Sequence, residues 1–107
     1  MIKIFFITLS VVFSLIPNVV SAELIDTLKQ NNKLIFIRHA LAPGNGDPDE
    51  FNILDCNTQR NLDSVGREQS LRLGQYFKIN EIPIEAVLSS EWCRCKETAK
   101  LAFQNYE

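Results

Sequence analysis

Apolar and polar positions along the chain change period several times, and each change marks an element. After Lys3 the residues run almost uninterruptedly apolar from Ile4 to Ile16 and then meet Pro17-Asn18. From Glu23 to Asn31, Leu24, Ile25 and Leu28 recur at helical spacing before the Asn31-Asn32 stop, which predicts a short leading helix. Lys33 to Arg38 holds the unbroken apolar run Leu34-Ile35-Phe36-Ile37, which predicts a strand buried on both faces, as in the centre of a parallel sheet. Residues 40–63 have no period, and Pro43-Gly44-Asn45-Gly46-Asp47-Pro48 is dense in turn formers, so this stretch reads as a long loop of the kind that covers a site. Asp63 or Ser64 caps a helix to about Lys78, with Val65, Gly66, Gln69, Leu73, Tyr76 and Phe77 inward and Gly66 allowing close packing on a sheet. Ile84 to Ser89 is a second strand, and a helix from about Glu91 to Gln104 puts Trp92, Cys95, Ala99, Ala102 and Phe103 on one face. The order α-β-loop-α-β-α predicts an α/β class fold, layered α/β/α, with a mainly parallel sheet and right-handed crossovers.

The leading apolar run changes the domain count. Val20-Ser21-Ala22 ends it with small residues, so residues 1–22 read as a signal peptide cut before Glu23, and the run is short for a span of about 20 residues. Residues 23–107 form the mature domain, and a periplasmic or secreted location follows, with no membrane attachment after cleavage. The mature part carries 10 Lys+Arg against 13 Asp+Glu, a formal charge of −3, which offers no footprint for nucleic acid. A domain this small buries only somewhat more than about 60% of its unfolded surface, so a covalent staple would matter. Export makes a disulfide plausible. On the last helix Cys95 falls on the core stripe and Cys93 on another face, which selects Cys56–Cys93 and leaves Cys95 as a buried thiol. Cys93 and Cys95 are not read as metal ligands, because residues i and i+2 on a helix point to different sides.

The candidate chemistry lies at the strand ends. In open parallel sheets ligands sit beyond the carboxyl ends of strands, where Arg38-His39 and the turn leading to Arg94 both fall. Guanidinium groups take phosphate or carboxylate bidentately and keep their charge. His39, the only histidine, would stay neutral beside them, and a neutral imidazole nitrogen accepts a phosphoryl group. The N-terminus of the last helix adds backbone donors. Arg60 is read as supporting the loop or pairing with Asp55 or Asp63. Asp47, Asp49 and Glu50 are candidate proton donors or solvated loop charges.

Three ordered motifs carry a family resemblance. Ile35-Phe36-Ile37-Arg38-His39-Ala40, Gln59 to Gln69 around Leu62, Ser64 and Gly66, and Ser89-Ser90-Glu91-Trp92-Cys93-Arg94-Cys95-Lys96-Glu97-Thr98-Ala99 resemble the histidine phosphatase superfamily, the phosphoglycerate mutase-like branch 1, with Ala40 where glycine is usual. The resemblance implies that His39 is the nucleophile, that a phosphohistidine forms and water releases phosphate, and that Arg38 and Arg94 hold the phosphoryl oxygens of a small phosphorylated substrate. It implies no metal and no cofactor. The family pattern also has a second histidine and an acidic proton donor further on, and several more strands. Their absence reads as the N-terminal portion of such a domain, truncated at its C-terminus. The alternative is a non-catalytic exported module that binds anions or a partner.

Overall fold

The computed structural model describes residues 19–107. The predicted signal peptide falls largely outside the described residues. Among those described, α1 (Val19–Leu28) spans the predicted cut before Glu23, so this helix begins earlier than the spacing after Glu23 predicts. A single turn of 3₁₀ helix (Cys56–Thr58), α2 (Ser64–Ile79) and α3 (Cys93–Phe103) complete the regular elements.

No strand and no sheet form among the described residues, which overturns the layered α/β/α fold with a mainly parallel sheet. Residues 33–38 and 84–89 carry no secondary-structure assignment beyond one bend. An apolar β-branched run favours extended backbone, but a strand exists only where a second chain segment meets its N–H and C=O groups. Here the two runs line one open groove of about 880 Å³ together with Leu73, Phe77, Ala99 and Phe103, and among the described residues no backbone bond pairs one run with the other. Leu34 and Phe36 are consequently 85% and 91% exposed, where the sequence predicts burial on both faces. The second run is tied at one rung: Ser89 N–H donates to Glu107 O at 2.9 Å and Glu107 N–H donates to Val87 O at 2.9 Å.

The two long helices form where their sequence signals place them, but the inward face expected for α2 holds only in part: Gly66 and Phe77 are buried, Val65 and Gln69 are exposed, and the fully buried residue is Ser70. Asp63 caps α2, its carboxylate accepting from Gly66 N–H at 2.8 Å, as expected for an acceptor side chain at the N-cap. Glu81 just beyond the C-cap takes a positive φ of 52°, letting Ile82 N–H reach back to Phe77 O at 3.0 Å and close the helix end. Helix α3 packs against α2, with Phe77 and Phe103 meeting edge to face at 5.2 Å between ring centroids. Close approach depends on two glycines of α2. A Cβ at Gly74 would stand 2.1 Å from Ala102 O in α3, and one at Gly66 would stand 2.1 Å from Leu41 O. Gly66 thus packs on loop backbone rather than on a sheet. Among the described residues the buried apolar side chains are few, namely Ala42, Leu62, Phe77, Ile82 and Ala99.

Candidate functional site: an anchored histidine and a buried arginine

Residues 40–63 have almost no regular structure, yet hydrogen bonds hold them tightly. Gln59 is buried, and its Nε2 donates to Asn52 O and Ile53 O, each at 3.0 Å. Its Oε1 accepts from Cys93 N–H at 3.0 Å, so one side chain fastens the loop to the first residue of α3. A disulfide joins Cys56 to Cys93 beside this contact, the pairing that helical geometry selects. The third cysteine, Cys95, is half-buried rather than buried.

His39 is half-buried at the end of the first extended run. Its Nδ1 lies 2.7 Å from Ala40 O. A carbonyl only accepts, so Nδ1 donates in this contact, and in the neutral ring Nε2 is then the nitrogen that bears the lone pair. The next peptide is anchored: Ala40 N–H donates to Thr98 Oγ1 at 3.1 Å, and the Thr98 hydroxyl donates to Arg94 O at 2.7 Å. Leu41 N–H adds a bond to Gln69 Oε1 of α2 at 2.9 Å. The histidine is thereby held to α3 one helical turn beyond Arg94.

Arg94 is buried at the first turn of α3. Its Nη1 donates to Asp47 Oδ1 at 2.9 Å and to Arg60 O at 3.3 Å, and its guanidinium carbon stands 4.4 Å from the centre of the Trp92 ring. Trp92 stacks in turn against Phe51 of the loop, 4.8 Å between centroids. Arg38 is exposed and makes no ion pair or hydrogen bond among the described residues. The groove that His39 lines is lined by neither arginine.

Of two loop residues, Arg60 supports the loop, one of its two expected roles, while Asp47 takes neither of those expected of it. Arg60 pairs with neither Asp55 nor Asp63. Its Nε donates to Gly46 O at 2.9 Å, its Nη1 to Ala42 O, and its backbone N–H to Asp47 Oδ1 at 2.9 Å. Asp47 is neither a solvated loop charge nor a ready proton donor. The Arg60 N–H above all, and then the Arg94 guanidinium, hold its carboxyl below the ordinary 3.8 against the opposing effect of burial. A carboxyl so depressed is ionised at neutral pH and has no proton to give. The stability that it lends the loop is present above the ordinary carboxylate range and is lost as pH falls below 3.8 toward its folded value. Acid titration followed by Trp92 fluorescence should therefore report loosening of the loop below that pH in the unmodified chain, and no such step in Asp47→Ala.

Sequence reasoning passed over Gln59, Trp92 and Thr98 as parts of this arrangement. Thr98 follows Arg94 by four residues, so the two share a helix face, and that spacing was the available signal. Nothing local marks Gln59, whose partners lie on both sides of the disulfide.

The family model described as the histidine phosphatase superfamily (branch 1) matches residues 34–106. The chain belongs to that superfamily. Searches of curated proteins and of solved structures return no match.

Proposed function

We propose that this protein is an exported phosphatase that hydrolyses a phosphomonoester through a phosphohistidine on His39. The observation that carries the reading is the Nδ1 to Ala40 O bond of 2.7 Å, which leaves Nε2 as the nucleophilic nitrogen. The lone pair of Nε2 forms a bond to phosphorus while the ester P–O bond breaks, and the departing alkoxide takes a proton from water. Water then attacks phosphorus, the P–N bond breaks, orthophosphate leaves, and the proton lost by water passes to solvent. Arg94 and Arg38 supply the positive charge that stabilises the phosphoryl oxygens in each step. Export is supported by the leader of residues 1–22, with Glu23 as the first residue of the mature chain in the periplasm or outside the cell.

The groove that His39 lines includes neither Arg38 nor Arg94, which favours a second reading, a non-catalytic module that binds anions or a protein partner. One experiment separates the two. The exported form, its start at Glu23 checked by mass, is incubated with a ³²P-labelled phosphodonor and quenched. The phosphatase reading expects an acid-labile, base-stable adduct on His39 Nε2 that disappears in His39→Asn. Phosphate binding without any adduct supports the module, and an adduct that survives in His39→Asn overturns the phosphohistidine.

A further inference from the structure

The guanidinium of Arg94 is used on one edge only. Nη1 is taken by Asp47 Oδ1 and Arg60 O. Nε is buried and has no hydrogen-bond partner. Nη2 makes no hydrogen bond among the described residues. Both side chains of the Arg94–Asp47 pair are only 10% exposed, so this arginine does not sweep freely through water. A buried N–H without an acceptor carries a desolvation cost, which an incoming oxygen relieves. The adjacent Nε and Nη2 together form the edge on which a guanidinium grips two oxygens of one anion.

We propose that Asp47 is a positioning residue for anion recognition: by holding Nη1 it sets the orientation in which the Nε–Nη2 edge of Arg94 takes the oxygens of orthophosphate or a phosphomonoester, Nε being uncovered as the anion enters. The proposal rests on the reading of Arg94 as a phosphate ligand. It adds the loop to the recognition machinery, because Asp47 is itself fixed by the Arg60 N–H, and the Arg60 side chain holds Gly46 O and Ala42 O around it. Trp92 covers one face of the guanidinium, so rotation about its own plane is what Asp47 must restrain. Preorganisation of this sort lowers the ordering cost of binding and so appears as affinity.

The test is calorimetric titration of the full chain with inorganic phosphate, with near-ultraviolet circular dichroism of each variant as the check on folding. Asp47→Ala should weaken binding about tenfold, the scale of one charge-assisted hydrogen bond, and the isosteric Asp47→Asn should weaken it less. Arg94→Lys keeps a charge facing Asp47 and has no fork, so it should weaken binding at least as much as Asp47→Ala. In the Arg94→Lys background, Asp47→Ala should then add no further loss. Tighter binding in Asp47→Ala makes the carboxylate a competitor of phosphate and overturns the proposal. Equal losses in both backgrounds make it a merely structural residue and also overturn it. If Asp47→Ala fails the folding check, Asp47→Asn decides by the same comparison. Unchanged binding in Arg94→Lys and Arg94→Ala instead removes Arg94 from the site and sinks the underlying reading, whatever Asp47 does.

Discussion

Replacing Cys56 and Cys93 together by serine should lower the midpoint of thermal unfolding by about 20 °C. The bond closes a loop of 37 residues, and a cross-link of that span withholds entropy worth about 4 kcal/mol from the unfolded chain. That is a large share of the roughly 5 to 15 kcal/mol typical of whole domains. Among the described residues there is little else to draw on, since two of the five buried apolar residues are alanines and the extended apolar runs lie open. Gln59 spans the same junction through its bond to Cys93 N–H, but a single neutral hydrogen bond contributes only about 1 kcal/mol net. Differential scanning calorimetry of the double variant is the check. A shift under about 5 °C would mean that the loop is held to α3 by its polar contacts alone.

Gly74→Ala should destabilise the chain although alanine is the better helix former. Propensity favours alanine by about 1 kcal/mol in a helix interior. Against this, the new Cβ would lie 2.1 Å from Ala102 O, 2.9 Å from its carbonyl carbon and 3.0 Å from its Cα. All three are backbone atoms, so no rotamer relieves the clash, and α2 and α3 must separate. Overpacking of this kind costs about 3 kcal/mol, which leaves a net loss of about 2 kcal/mol. The separation also weakens the Phe77–Phe103 contact. Urea unfolding is the measurement, and a variant more stable than the parent would show that the helices do not approach as closely as Gly74 permits. Gly66→Ala should add a second effect, because its clash is with Leu41 O, two residues from His39.

Helices were readable because their signals are local. The periodic positions of α2 and α3, the Asp63 cap and the separation of Cys93 from the core stripe are all properties of neighbouring residues on one helix. The candidate site was half readable for the same reason: His39 and Arg94 stand in recognisable motifs, whereas the partner of Arg94 is 47 residues away in a segment without periodicity. The sheet was misread because a continuous apolar run reports a preference for extended backbone and burial, and says nothing of whether a partner lies alongside. Leu34 to Ile37 has the composition of a central strand and no neighbour that pairs with it among the described residues.

The sequence by itself determined where two helices form, which cysteines pair and which family the histidine motif belongs to, since each depends on residue type at short spacing. Only the tertiary structure decided that the apolar runs line an open groove, that Arg94 is buried against Asp47, and that Ala40 N–H is held by Thr98 Oγ1. These are outcomes of which distant groups meet, and hydrogen-bond and ion-pair partners are set by three-dimensional proximity that no local pattern encodes.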